Sequence, residues 1–496
     1  MLKKIAALAV LLLLPTLSAF AQGEKVDQAW LDKVGALKPK EQAKAILDKL
    51  QDLNLKWPET CIFKEEDGKI VEFTFLGNAV ADITPLLPLK HVRKLNFGGT
   101  PPQSEVDKLR VDKLDVLKDM PLVELNMSWS KVKDLSPLKG KLLKVLHCGS
   151  SLVQTLAPLE GMPLEVVSCD STAIPSLAPL KGAPLKSLVF SHTKVGSLKP
   201  LEGAPLTVLH GEFTNVKDLT PLKGMPLKTL YLRACPVFDL SPLKGLPITE
   251  LSLLYTKVSD LKPLQGMALT HLDVRVTGVA DLTPLKGMQL KGLYAQNSLI
   301  KSIAPLKDMP LIYLWLPGCP VKDLSVLKGM PLQNLHISGT QVSDLSPLKE
   351  SKQLSYIWPD NTPITSILSL KDLPLTVLDL SGTRVSDLTP IKSMKITTLT
   401  LTKTPIKSIA VLKDSKVTWL ELNSTAVSDL SPLKGIHFRY LGFDKTNVKD
   451  YTFLNGMKID NLNLNIRKRE DLIRLKTVKG LQNFNGKDAT EQLKGL

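Results

Sequence analysis

Leu219-Thr220-Pro221-Leu222-Lys223-Gly224-Met225-Pro226-Leu227-Lys228-Thr229-Leu230-Tyr231-Leu232-Arg233-Ala234-Cys235-Pro236-Val237-Phe238-Asp239 decides the architecture, because its pattern restarts at Leu240, Leu261 and Leu282, a constant step of 21 residues. The frame L-x-P-L-K-G-M-P-L-x-x-L-x-L-x-x-T-x-V-x-D runs from Leu114 to about Asn465 as 17 repeats, with one extra residue in the repeat from Leu345. An irregular forerunner covers Ile83 to Thr100, and the polar stretch Pro101 to Lys113 reads as a surface insertion. Length alone would suggest about three domains of roughly 150 residues. A uniform array removes that inference, since each unit acquires a core only by stacking on its neighbours.

Each part of the unit has a physical reading. Leu227-Lys228-Thr229-Leu230-Tyr231-Leu232 alternates inward leucines with outward residues and predicts a short strand. Asp344-Leu345-Ser346-Pro347-Leu348 places a capping aspartate before a proline-fixed turn, which suits a short 3₁₀ segment. The expected fold is an α/β solenoid: a curved array of short parallel strands on the concave side and 3₁₀ turns on the convex side, with covers at both ends.

Three columns follow from the register. Threonine recurs between strand and turn at Thr193, Thr214, Thr256, Thr277, Thr340, Thr383, Thr404, Thr425 and Thr446. Its hydroxyl is expected to bond the backbone of the adjacent coil in a ladder. Aspartate closes the unit, as at Asp218, Asp239, Asp260 and Asp281. These side chains are expected to cap their own turns, the alternative being a hard cation such as calcium shared between them. Lysine stands at position five in 13 of the 17 repeats, including Lys181, Lys223, Lys244, Lys286, Lys307 and Lys328, and supplies much of the +16 charge. It is read as a solvated convex surface; the alternative is attraction to anionic envelope polymers or lipid headgroups.

The unit resembles the 21–22-residue leucine-rich repeats of the bacterial internalin type, which share the D-[IL]-S-P-L turn. The flanks resemble a group of exported planctomycete-type repeat proteins, some of whose relatives attach such arrays to Ser/Thr protein kinases. The matching residues are Trp30-Leu31-Asp32-Lys33-Val34, Glu66-Asp67-Gly68-Lys69-Ile70-Val71-Glu72 and Leu475-Lys476-Thr477-Val478-Lys479-Gly480-Leu481. The resemblance implies fold and export, and no particular partner.

The implied organisation is a signal peptide over 1–21, a helical and hairpin cap over 22–82, the irregular first repeat and insertion over 83–113, the leucine-rich-repeat array over 114–466 and a second cap over 467–496. Lys3 and Lys4 precede an apolar run from Ile5 to Leu14 and a small-residue exit Ala19-Phe20-Ala21, so cleavage would leave Gln22 first. No cysteine follows to take a lipid, and no later apolar run approaches the roughly 20 residues that span a bilayer. The expected location is exported, periplasmic or extracellular. Cys148 and Cys169 occupy inward leucine positions, and Cys235 and Cys319 threonine positions, so buried thiols are expected; a Cys148–Cys169 bond is the alternative.

No catalytic constellation appears: there is no G-x-S-x-G, H-E-x-x-H, P-loop, C-x-x-C or kinase H-R-D and D-F-G element. The chain reads as a non-catalytic scaffold without cofactor or metal, its histidines lying repeats apart. The outward positions carry the functional signal. Positions 11, 13, 15 and 16 hold six of the seven tyrosines, four of the six tryptophans and five of the seven histidines. Tyr294, Trp315, His336 and Trp358 stand at position 13 of successive strands, with Tyr313 and Tyr356 at position 11, and should form a continuous aromatic strip. Asp273, Arg275, Asp379 and Glu421 are expected as a charged rim, and Tyr231, Arg233 and Trp419 complete the candidate partner-binding set. A protein or peptide partner is the leading reading. Its alternatives are a ladder that only stiffens the sheet, an envelope-associated structural role through the convex lysines, and a regulatory role beside a kinase on another chain. Nucleic acid does not fit, because aromatics are not interleaved with the lysines.

Overall fold

The computed structural model describes residues 26–54, 58, 60–75, 80–99, 111–465 and 469–494. The expected signal peptide and most of the insertion at 101–113 lie outside them. The chain divides into two compact units, Met1–Gln154 and Thr155–Leu496, so the boundary falls inside the repeat array.

In the first unit, α1 (Gln28–Gly35) and α2 (Pro39–Leu53) precede a hairpin of β1 (Cys61–Glu66) and β2 (Lys69–Phe75). Asp67 and Gly68 turn the hairpin with φ of 50° and 71°, the left-handed pair that a tight two-residue turn requires. Ala43, Ile46 and Leu50 fall at helical spacing on α2 and are buried. Strand β2 pairs in parallel with β3 (Lys94–Asn96), which pairs with β4 (Glu124–Asn126) and then β5 (Val145–His147).

The second unit holds fifteen three-residue parallel strands, β6 (Val166–Ser168) to β20 (Asn461–Asn463), stacked in chain order. Identical positions face each other, as in Leu230↔Leu251↔Leu272, because these coils have the same length. The ladder runs past each strand: Leu232 N–H donates to Ser252 O at 2.9 Å and Ala234 N–H to Leu254 O at 2.7 Å. After β20 the chain ends in α3 (Arg469–Arg474), the short strands β21 (Asn483–Phe484) and β22 (Lys487–Asp488), and α4 (Ala489–Leu493). This is the leucine-rich-repeat solenoid that the period predicts.

One coil shows how the sequence makes the turn. Asp218 Oδ1 accepts from Thr220 N–H at 2.8 Å, and the same bond recurs at Asp239, Asp260 and Asp281. The aspartate sits one residue before the formal cap, Leu219, and makes a two-residue aspartate turn. Pro221 then fixes the 3₁₀ segment Thr220–Leu222, and Gly224 reverses the chain at φ 78°. Leu219, Leu222, Leu227, Leu230, Leu232 and Val237 are all at most 1% exposed, which places the core inside the coil stack. The position-five lysines named above are exposed.

The threonine column is structural, but its bond runs differently from expectation. All nine hydroxyls donate to the carbonyl three residues earlier in their own coil, at 2.6–2.9 Å, and not to the adjacent coil. The tight reversal brings the carbonyl just after its own strand within range of each hydroxyl. Sulfur reaches further: Cys235 and Cys319 donate to Gly211 O and Ala295 O of the preceding coil at 3.0 and 2.9 Å. Cys61, Cys235 and Cys319 are thiols, and Cys148, Cys169, Cys235 and Cys319 are buried.

A second feature is invisible in the pattern. Position 16 is left-handed in repeat after repeat, whatever its side chain: φ is 58° at His192, 54° at Phe213, 59° at Tyr255, 53° at Val276 and 63° at Gly339. Closure of a 21-residue coil imposes this conformation, which costs a non-glycine residue roughly 1 kcal/mol or more.

Candidate partner-binding surface

The sequence-predicted candidates all lie in the second unit. Parallel register places Tyr294, Trp315, His336 and Trp358 directly opposite one another on β12 (Gly292–Tyr294), β13 (Tyr313–Trp315), β14 (Asn334–His336) and β15 (Tyr356–Trp358). Their rings touch in sequence, with centres 5.4 Å apart for Tyr294–Trp315, 5.8 Å for Trp315–His336 and 5.3 Å for His336–Trp358. The first two contacts are edge-on, the arrangement that ring quadrupoles favour. Tyr356 stacks on Trp358 at 6.0 Å and widens the strip. Beneath it Leu293, Leu314, Leu335 and Ile357 are fully buried, so the rings stand on a rigid floor.

The strip is closed electrostatically at one end. Arg275 holds Asp273 through two bonds of 2.9 and 2.7 Å, and its guanidinium lies 5.8 Å above the Tyr294 ring. The expected charged rim is there an internal ion pair, with Asp273 engaging Arg275. At the other end Asp379 accepts from Ser381 N–H at 2.8 Å. Strand pairing there stops at Ile357↔Leu378 and leaves Trp358 and Asp379 unmatched. Pro359 follows Trp358, and without an N–H it cannot continue the ladder.

Two tests of polarity bear on the strip. Burial pulls the His336 imidazole below its ordinary pKa, against the opposing influence of Asp360 and Asp379. The indole N–H of Trp315 is covered and has no acceptor. An orphaned donor of that kind costs about 1–3 kcal/mol. Tyr313 is half-buried at position 11, beside Gly292. A Cβ at Gly292 would come within 2.7 Å of His271 Cδ2, so this glycine makes room for the neighbouring imidazole.

Not all candidates join one surface. Trp419 stacks on Tyr440 at 4.4 Å and donates to Glu421 at 3.1 Å, but the strands bearing Asp379 and Thr400 separate this pair from Trp358. Tyr231 and Arg233 belong to a third group. Tyr231 stacks on His210 at 4.5 Å and donates to Glu250 at 2.7 Å, and burial together with that carboxylate pushes its pKa up to about 12. Arg233 lies 4.9 Å over Phe213, which stacks on His192 at 4.3 Å. His192, His210, Phe213 and Tyr440 were not among the predicted residues, although the same outward positions carry them. Phe213 and Tyr255 remain 40% and 56% exposed in the left-handed position 16, so aromatic bulk is kept where glycine would cost least.

The arrangement offers flat rings and one internally neutralised pair, Asp273 with Arg275, and among the described residues of the candidate set no nucleophile is set against a base. Among the described residues no group of three or more His, Cys, Asp or Glu side chains could hold a metal ion. Among them too, no helix is long and apolar enough to cross a membrane.

No family model matches the sequence, and no curated protein matches it. Solved structures do. The leucine-rich-repeat ectodomain of the Arabidopsis receptor kinase HAESA, in complex with an extended IDA peptide hormone, is similar at 16% identity and a TM-score of 0.58, over 91% of this chain and 88% of that one. A leucine-rich-repeat protein of Leptospira interrogans is similar at 19% identity and a TM-score of 0.51, over 76% and 98%. The functional domain of InlJ from Listeria monocytogenes is similar at 17% identity and a TM-score of 0.50, over 67% and 74%. At these identities the likeness is one of fold, and the fold is the leucine-rich-repeat solenoid.

Proposed function

We propose that the protein is an exported, non-catalytic scaffold that binds a protein or peptide segment across the ring strip Tyr294–Trp315–His336–Trp358, with Tyr313 and Tyr356 beside it. The observation that carries this reading is the covered, unpartnered indole N–H of Trp315 within an unbroken row of rings. A row kept only to stiffen the sheet gains roughly 0.2–1 kcal/mol per cross-strand pair, and an orphaned donor would cancel that gain. A partner that brings an acceptor to this N–H would remove the cost. Large, rather rigid, partly polar rings are also the side chains that dominate binding hot spots. The same fold in the HAESA ectodomain complex carries a peptide hormone, which supports a peptide or protein ligand here.

In this reading Asp273 and Arg275 bound the surface as a preformed pair, and Asp379 bounds its other end. Tyr231 with Arg233, and Trp419 with Glu421, are secondary contacts. The test is capture from native extract, with bound polypeptides identified by mass spectrometry. The wild-type chain is expected to retain a partner that the Trp315→Ala/Trp358→Ala chain releases. Equal capture by both removes the strip from the reading.

A further inference from the structure

Position 8 of the repeat is proline in most coils of the second unit, for example Pro226, Pro331 and Pro374. In the four repeats after Pro374 it becomes Lys395, Lys416, His437 and Lys458. This change sets a second cationic column three residues beyond the position-five lysines Lys392 and Lys413. General solubility does not explain it, because the position-five column already supplies a charged surface along most of the array.

The two columns enclose something. Between the repeats that start at Leu388 and Ile409 lies an open cavity of about 730 Å³, rimmed by Lys392, Lys395, Lys413 and Lys416. Its floor is apolar, with Ile391, Ile396 and Leu412 buried, and its one lining carboxylate is Asp414. None of the four lysines forms an ion pair among the described residues. Four ammonium groups around one opening repel each other, and a bound anion reverses the sign of that interaction.

Three further donors belong to residues that line the cavity. The hydroxyl of Ser415, which lines the cavity, is covered and has no partner. Proline has no N–H, so each lysine at position 8 also adds a backbone donor. The N–H groups of Lys395 and Lys416 donate to no backbone carbonyl among the described residues. Uncommitted N–H groups beside ammonium groups suit oxyanions.

We infer that this cleft binds phosphate or sulfate groups of a linear polyanion, whose chain continues along position 8 toward Lys458. His437 is already engaged with Asp460 at 3.2 Å and serves as a spacer. The site is independent of the ring strip.

The experiment is anisotropy titration of the full chain with labelled dextran sulfate and labelled long-chain inorganic polyphosphate. Lys395→Pro/Lys416→Pro restores the repeat's own residue, and Lys395→Gln/Lys416→Gln removes the charge without touching backbone geometry. Both are expected to weaken binding about tenfold and to flatten its salt dependence, while Lys223→Gln/Lys244→Gln, which removes equal charge elsewhere, changes it less than about twofold. Equal weakening by the control pair, no change in the cleft pairs, or binding confined to phosphatidylglycerol vesicles would overturn the inference.

Discussion

Trp315 and His336 stand at the same place on adjacent parallel strands, their ring centres 5.8 Å apart and their planes at 74°, while the Trp315 indole N–H is covered without an acceptor. The pair is therefore well placed and poorly satisfied. Rings on the strand face contribute little to stability compared with the leucine between them in sequence and beneath them in space. That asymmetry separates a binding surface from a structural one.

It predicts a contrast in stability. Trp315→Ala should lower stability by no more than about 1 kcal/mol, since it removes cross-strand contacts but also an orphaned donor. Leu314→Ala, at a fully buried position, should cost about 2–5 kcal/mol through the cavity it leaves. Urea denaturation of the two variants checks the order, and a Trp315→Ala loss as large as that of Leu314→Ala would make the ring a core residue.

Left-handed position 16 gives a matched pair of opposite sign. Lys403, at φ 58°, should gain about 1 kcal/mol as Lys403→Gly. Gly339 lies at φ 63°, and an added Cβ would meet nothing nearer than 3.8 Å, so Gly339→Ala isolates the backbone cost and should lose a similar amount, about 1 kcal/mol. Thermal melts of both variants decide the point; shifts in the same direction would deny that coil closure imposes the conformation.

The aspartate turns make stability depend on acid. Hydrogen bonds from Ser346 hold the Asp344 carboxyl below its ordinary value of 3.8, and other turns repeat the effect at Asp323, Asp387 and Asp429. A depressed folded-state pKa contributes stability that is complete above the unfolded value and is lost as pH falls through the folded one. Melting temperature should accordingly fall once pH drops below about 4, and the advantage of wild type over Asp344→Asn at neutral pH should shrink there. An advantage that stays constant from pH 7 to pH 3 would contradict the charged turn.

The array, its leucine core and the order of the rings were legible because a constant period fixes register, and register fixes which side chains become neighbours. Tyr294, Trp315, His336 and Trp358 could thus be aligned before any coordinates. What stayed hidden depends on distances within one coil. The column of threonines announces a hydroxyl ladder, but only the path of the reversal puts each strand's own carbonyl closer than the next coil's. Position 16 is concealed further, since Val276 and Phe213 are side chains that normally avoid a left-handed backbone. Arg275 read as a free rim charge because the sequence shows it beside Asp273 without showing that the two side chains turn toward each other. Arg233 over Phe213 needed position 15 of one coil to be seen against position 16 of the one before it, and His192 against Phe213 needed position 16 of successive coils to be seen together.

The central claim is tested most directly by the affinity of a purified partner, recovered on the wild-type chain, for wild type and for Trp315→Ala/Trp358→Ala measured side by side by titration calorimetry. Loss of two anchoring rings predicts a Kd raised by about a hundredfold, or roughly 2.7 kcal/mol, with an unchanged melting temperature. An unchanged Kd, or a weakened Kd accompanied by an equal loss of folding stability, would contradict the account.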